Sequence, residues 1–285
     1  MKTSSKLLII LAIAIFVLPL SILSYTVSRG RVGLDEYSNT FHEEATQSDK
    51  EDRYLKTTAL PAFQKVKVLG HAPKPGNINI VFVKSDKYAI KIDKNSASHF
   101  SATVNENREL VITGEEPYFY HNTVYIFAPS AQELTLKNVG AKIEANTEHL
   151  AILGDSITEL RFAPESSIGE LIVELKNSTV SMSNPQRDVA SPDAQAGNAK
   201  LDVFNSNVRI EHPNFDNMQI KAERSKIIFD KGSSGNLINS LYLHTLGQNS
   251  ITLDSVGVGS IKGALSEETT IDLPIQQLRK LINNQ

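Results

Sequence analysis

The chain of 285 residues carries 29 basic and 32 acidic side chains for a net charge of -3, is 40% hydrophobic and 21% charged, and contains no Cys and no Trp. The two signs are mixed along the chain without a long run of either, which gives no electrostatic case for nucleic acid as a partner. Without cysteine there is no disulfide, thiolate nucleophile, cysteine-ligated metal or lipid-modified cysteine.

Lys2 and Lys6 precede an apolar run from Leu7 to about Val27, broken by Pro19 and a few serines. A run of roughly 20 residues is long enough to cross a bilayer as a helix and longer than the core of most cleaved leaders. Residues 1–28 are therefore expected to be an export signal or a retained transmembrane anchor. Ser24 and Thr26 make a poor cleavage site, which favours the anchor. The lysines ahead of the run favour a cytoplasmic N-terminus, although Arg29 and Arg31 oppose them. The expectation is a body in the periplasm or outside the cell, tied to the envelope membrane, or secreted if the leader is cut. Residues 29–56 are polar and acidic, with Glu43, Glu44, Asp49, Glu51 and Asp52, and read as a linker.

Five segments then alternate apolar and polar residues in period two: 63–68, 78–83, 88–92, 109–112 and 123–127. Alternation predicts strands with one buried and one wet face. Nothing between them resembles a linker, so they are expected to join the repeats C-terminal to them in one domain, residues 57–285.

From Leu134 to Ile261 one phrase returns: an apolar-x-apolar triplet, then Ser, Asn or Gly, then a β-branched residue. Its copies begin at Leu134, Leu150, Leu171, Leu201, Met218 and Leu241. A unit of about 21 residues marks a solenoid, in which each repeat buries its apolar face only against its neighbours. The copies lack the fixed Asn and the helix of a leucine-rich repeat. Short β-branched strands with Gly, Asn, Ser and Asp between them instead predict an all-β, single-stranded, right-handed parallel β-helix or β-solenoid. The outer residues of each triplet should point inward, and the middle ones (Thr135, Ala151, Ile172, Asp202, Gln219 and Tyr242) outward. The recurrent Ser and Asn are expected to form corners and to stack as ladders. Residues 184–199, with Pro185, Pro192 and Gly197, read as a loop inserted at one corner. Ile275, Leu278, Leu281 and Ile282 predict a helix over 274–284 capping the last repeat.

Phe63-Gln64-Lys65-Val66-Lys67-Val68, Leu110-Val111-Ile112 and Val124 to Pro129, leading into Leu134, Leu136, Gly140 and Ile143, resemble the auto-transporter adhesin, head GIN domain family, a bacterial domain of unknown function. The resemblance covers about residues 60 to 265. It departs at Gly70, which is followed by a Pro-containing loop where the family has V-x-G-x-x-x-V. It implies a β-solenoid and an extracytoplasmic, adhesive role, and it carries over no residues of known chemistry.

The seven histidines are scattered without ligand spacing, and no P-loop, dinucleotide or nucleophile-elbow motif occurs. No metal or other cofactor is expected. Asp155, Asp202, Asp230 and Asp254 fall at different places in their copies, which weakens a polysaccharide lyase or hydrolase as the alternative function. Two carboxylates facing each other across adjacent repeats would restore that alternative. The one candidate surface is Tyr118, Phe119, Tyr120 and His121 in a Pro-led loop. Exposed, it would stack on a glycan or an envelope protein; in the competing reading, Phe119 plugs the coil end. The sequence thus predicts a non-enzymatic binding, adhesion or envelope scaffold protein.

Overall fold

The structure, a computed structural model, describes residues 53–71, 76–115, 119, 122–130, 132–163, 166–183, 197–211, 213, 215–230, 237–253 and 256–275, together with 17, 19, 21, 25, 45 and 46. The chain divides into two units, Met1–Gln47 and Ser48–Gln285. In the first, Val17, Pro19, Ser21 and Tyr25 are helical, and Ser21 Oγ donates to the Val17 carbonyl at 2.7 Å. Among the described residues no helix is long and apolar enough to cross a membrane. The rest of the expected anchor lies outside them, as do residues 184–196 of the insertion and 276–284 of the C-terminal helix.

The second unit is all-β, with two large mixed sheets of eleven and ten strands. Its strands begin with β1 (Leu55–Ala59), β2 (Lys65–Leu69), β3 (Asn77–Lys84), β4 (Ala89–Asp93), β5 (Phe100–Val104), β6 (Glu109–Gly114) and β7 (Thr123–Ala128). Then come pairs with one strand in each sheet: β8 (Glu133–Lys137) and β9 (Gly140–Glu144), β10 (Asn146–Asp155) and β11 (Glu159–Phe162), β12 (Ser167–Lys176) and β13 (Thr179–Ser183). β14 (Asn198–Phe204) and β15 (Asn207–Glu211), β16 (Phe215–Glu223) and β17 (Lys226–Phe229), β18 (Leu237–Leu246) and β19 (Asn249–Thr252), and β20 (Gly257–Ala264) and β21 (Thr269–Asp272) complete the series. Each pair is a rung, and from β8 onward every strand lies parallel to its counterparts in the neighbouring rungs.

The burial of each triplet follows the period of two. Leu134, Leu136, Leu150, Ile152, Leu171, Val173, Leu201, Val203, Met218, Ile220, Leu241 and Leu243 are all buried, and the middle residues face out. These side chains and their partners on the other sheet form one continuous core from Phe63 to Val258.

The register differs from the repeat read in the sequence. Leu171 pairs with Ala199, and Leu201 pairs with Val173; likewise Leu134 pairs with Ile152. The phrases beginning at Leu134 and Leu201 are therefore shifted by two residues. A slip of two keeps every side chain on its own face, so hydrophobicity cannot detect it. Asn198 and Ala199, assigned to the insertion, belong to β14.

The tight corner of each rung, leading from the ten-stranded to the eleven-stranded sheet, is built by the repeated polar residues. Asn138, Ser156, Asn177, Asn205, Arg224 and Gly247 take positive φ there, between 47° and 67°. One position later, Ser178, Ser206 and Ser225 are buried, and Asn249, two positions after Gly247, fills the site that the register sets opposite Ser225. The Ile157 N–H donates to Ser178 Oγ (3.1 Å), Ser178 N–H to Ser206 Oγ (2.9 Å), Ser206 N–H to Ser225 Oγ (3.2 Å) and Ser225 N–H to Asn249 Oδ1 (2.9 Å). Each hydroxyl also donates to the carbonyl two residues back, on Lys176, Phe204 or Glu223. The buried backbone donors of one corner are thus satisfied by the side chains of the next.

Rungs bend a second time within the ten-stranded sheet. The ladder skips Glu148 with Gly169, Asp216 with Asn239, and Asn239 with Gly259. Two successive residues face outward at each skip, as in Gly169-Glu170 and Asn239-Ser240. A Cβ on Gly169 or Gly259 would meet the carbonyl oxygen of Glu148 at 2.8 Å or Asn239 at 2.6 Å, so glycine permits the close approach.

Chain order and spatial order part company at the N-terminal end. β6 and β7 lie outside β2 and β3, which in turn pair with β8 and β9. Lys65 in β2 reaches Glu133 in β8 at 2.9 Å, and the carboxylate raises the ammonium's pKa above its ordinary 10.5. Three antiparallel strands finish this end: β4 against β7, β1 against β4, and β5 against β6. Two of them depart from the sequence reading. β1 takes in Leu55 and Lys56 from the expected linker, and β5 (Phe-Ser-Ala-Thr-Val), whose inward side chains are half-buried, was not anticipated. Lys91, on the face that alternation marks as wet, is fully buried beside Phe127, with Nζ 5.4 Å from the ring centroid.

The ladder yields a stability prediction. Ser206→Ala leaves the Ser178 N–H without its acceptor and should cost about 1–3 kcal/mol in urea unfolding, whereas Ser181→Ala, on the half-exposed outer face, should cost less.

Candidate functional site

Of the four residues singled out as a candidate surface, the structure describes Phe119, and Tyr118, Tyr120 and His121 lie outside the described residues. The segment starts where β6 ends. Glu115 N–H donates to the His99 carbonyl and Phe119 N–H to the Glu115 carbonyl, both at 2.9 Å. This turn drives the Phe119 ring inward. It is fully buried, with its centroid 5.4 Å from that of Phe100 and 6.4 Å from that of His71. Phe119 therefore offers no surface to a ligand. A Cβ on Gly114 would lie 2.3 Å from the ring, so glycine makes the room.

A notch lies where the chain skips a rung. β10 pairs with β12 from Asn146 onward but with β8 only from Ala151. β3 pairs with β7 as far as Lys84 but with β9 only as far as Val81. Both sheets thus stop short beside the same gap, which a continuing strand would fill in an unbroken series of rungs. After β3 the chain departs to β4 instead, and only after Pro129 does it recross from β7 to β8. The result is a cavity of about 670 Å³. Phe82, Ala128 and Pro129 give it an apolar side; Lys84, Asn146 and His149 give it a polar one. His149 Nδ1 lies 2.9 Å from Glu170 Oε2, and both side chains are exposed. No sequence motif marks this place, because it arises from strand order.

Among the described residues, carboxylate side chains are register partners across adjacent rungs at one position. Glu174 in β12 is the register partner of Asp202 in β14, which is in turn the partner of Lys221 in β16. Lys200 Nζ lies 3.4 Å from Asp202 Oδ2, while Asp202 Oδ1 is buried without a hydrogen-bond partner among the described residues. Of the other aspartates singled out in the sequence, Asp155 accepts from Ser156 and Asn177, and Asp230 pairs with Arg209 at 2.9 Å. Asp254 lies outside the described residues. Among the described residues no group of three or more His, Cys, Asp or Glu is placed to hold a metal ion.

No family model matches the chain, and no curated protein matches it. Among solved structures, it is similar to a candidate adhesin from Bacteroides fragilis, at 15% identity and a TM-score of 0.45, over 78% of this chain and 98% of the other. It is also similar to a candidate adhesin from Parabacteroides distasonis, at 12% identity and a TM-score of 0.42, over 77% and 93%. A candidate lipid-binding protein from the same species shares 12% identity with a TM-score of 0.34, over 77% and 96%.

The buried ring provides a test of the end packing. Phe119→Ala should destabilise the chain by about 3–5 kcal/mol, seen as a lower thermal midpoint, and a value within experimental error of the parent would refute the plug.

Proposed function

We propose that the rungs are successive coils of a parallel β-solenoid, and that the chain is a non-enzymatic binding, adhesion or scaffold protein of the bacterial cell envelope. The observation that carries this reading is the division of labour between repeated and unrepeated residues. Most side chains that recur from rung to rung are consumed by the core and the corner ladder of Ser178, Ser206, Ser225 and Asn249, which are buried, while Asn177 and Asn205 at the corners stay exposed and bond to each other. The outward rows of the ten-stranded sheet vary from rung to rung and stay in register, a surface that a partner can read. Kinship with the head GIN domain family, an envelope location and attachment through residues 1–28 belong to the same proposal.

The pairing of Glu174 with Asp202 favours a second reading, a polysaccharide-active enzyme, since two carboxyl groups at a scissile bond are the usual requirement for glycoside hydrolysis. One experiment separates the two. The full chain is presented to a glycan array and to envelope protein extracts, and the bound polysaccharides are assayed for new reducing ends. Retention without release supports the binding protein. Release that disappears in Asp202→Asn supports the enzyme.

The aromatic loop is tested separately. Replacing Tyr118 and Tyr120 with Ala should abolish glycan or cell-surface retention if these side chains form the contact surface, and unchanged retention would rule the loop out.

A further inference from the structure

We infer that the outer face of the ten-stranded sheet around Tyr242 is a binding site for a linear glycan laid across the strands. The inference rests on the binding reading above and gives it a location and a ligand class.

Tyr242 sits in β18 between Leu241 and Leu243, which are buried, so its own ring projects from the opposite face and is 45% exposed. The ladder places Gln219 beside it on one side and Lys262 on the other, with Lys200 next to Gln219. A second row runs alongside, from Asn198 to Asn217, Ser240 and Ser260. Within it Asn217 Nδ2 donates to Asn198 Oδ1 at 2.9 Å, and the Ser240 and Ser260 hydroxyls lie 3.2 Å apart. Between the two rows is an open groove of about 490 Å³, lined by Asn198, Lys200, Asn217, Gln219, Ser240 and Tyr242.

This chemistry suits a sugar chain. A phenol ring presents an apolar face on which the C–H side of a pyranose can stack while its hydroxyl stays wet. Amides, hydroxyls and ammonium groups beside the ring supply the donors and acceptors that ring hydroxyls require. The Gln219 amide and the Tyr242 hydroxyl have no hydrogen-bond partner among the described residues, so neither is tied into the protein. Neighbouring strands are about 4.8 Å apart, a step of the same order as one sugar unit. A linear chain crossing the strands therefore meets a fresh set of side chains at each rung. Lys262, beside Tyr242 in the row, is the cation for a carboxylate on the sugar, because Lys200 lies 3.4 Å from Asp202 and Glu170, the register partner of Asn198, lines the other end of the groove.

The test uses the full chain, with neutral and uronic-acid-containing linear oligosaccharides as probes and binding measured by titration calorimetry. Tyr242→Ala should weaken binding about tenfold or more, equivalent to at least about 1.4 kcal/mol, while Tyr242→Phe, which keeps the ring, should remain within about threefold of the parent. Gln219→Ala should weaken neutral and acidic probes alike, and Lys262→Gln should weaken the acidic ones alone. Unfolding midpoints equal to the parent's show that the variants fold. Oligosaccharide binding that is indifferent to Tyr242→Ala would overturn this site and leave the binding function standing elsewhere on the chain. Binding to envelope protein with no oligosaccharide retained would also overturn the site, and again not the general function. Retention of neither probe nor envelope protein would overturn both.

Discussion

A chain that passes from one sheet to the other in every rung must turn inside a dry core, and each turn brings backbone N–H groups with it. An unpaired buried donor costs as much as several favourable contacts supply. In this protein the donor at four successive tight corners is met by a side-chain oxygen from the next rung, through Ser178, Ser206, Ser225 and Asn249. The same hydroxyls hold the strand before the turn by donating to its carbonyl. Position and chemistry are therefore coupled along the stack. A corner is complete only if the rung after it is in register, so the ladder fixes register where the apolar pattern alone leaves it open to a two-residue slip.

The N-terminal end solves a different problem. A parallel stack ends in a strand edge that would recruit another chain. Here the chain folds β4, β1 and β5 antiparallel onto the outermost rung, and Phe119 packs against Phe100 at the start of β5 and over Gly114 at the end of β6. This closure has a topological consequence. The rung made first in sequence, β2 and β3, comes to lie second in space, and the chain must leap over it to begin β8. The notch beside residues 146–150 is the trace of that leap. It brings together side chains from β3, β7, β10 and β12 that nothing in the linear pattern relates.

Solvent-facing positions obey neither constraint, and they are where the rungs differ. A row such as Ala151, Ile172, Lys200, Gln219, Tyr242 and Lys262 is aligned by backbone pairing alone, so each side chain is free to be chosen for what it meets outside. The groove beside Tyr242 and the Glu174 and Asp202 pair both arise in this way. They are features of neighbouring rungs, separated in sequence by the length of a rung.

The sequence by itself determined the all-β class, the buried and exposed face of each repeated triplet, and the Ser and Asn corners with their ladder. These follow from local rules, the two-residue period of a strand and the few residues that tolerate a positive φ, and local rules are written in local sequence. It misplaced the copies at Leu134 and Leu201, because a period of two is blind to a shift of two, and it missed β5, although Phe100, Ala102 and Val104 alternate there with Ser101 and Thr103. It also set Lys91 on a wet face, since alternation identifies opposite faces without revealing that both are covered. Only the tertiary structure decided the strand order at the N-terminal end, the notch and the company of Tyr242. Each of these depends on which strand lies beside which, a choice made by backbone pairing between segments far apart in the chain, and backbone groups are the same in every residue.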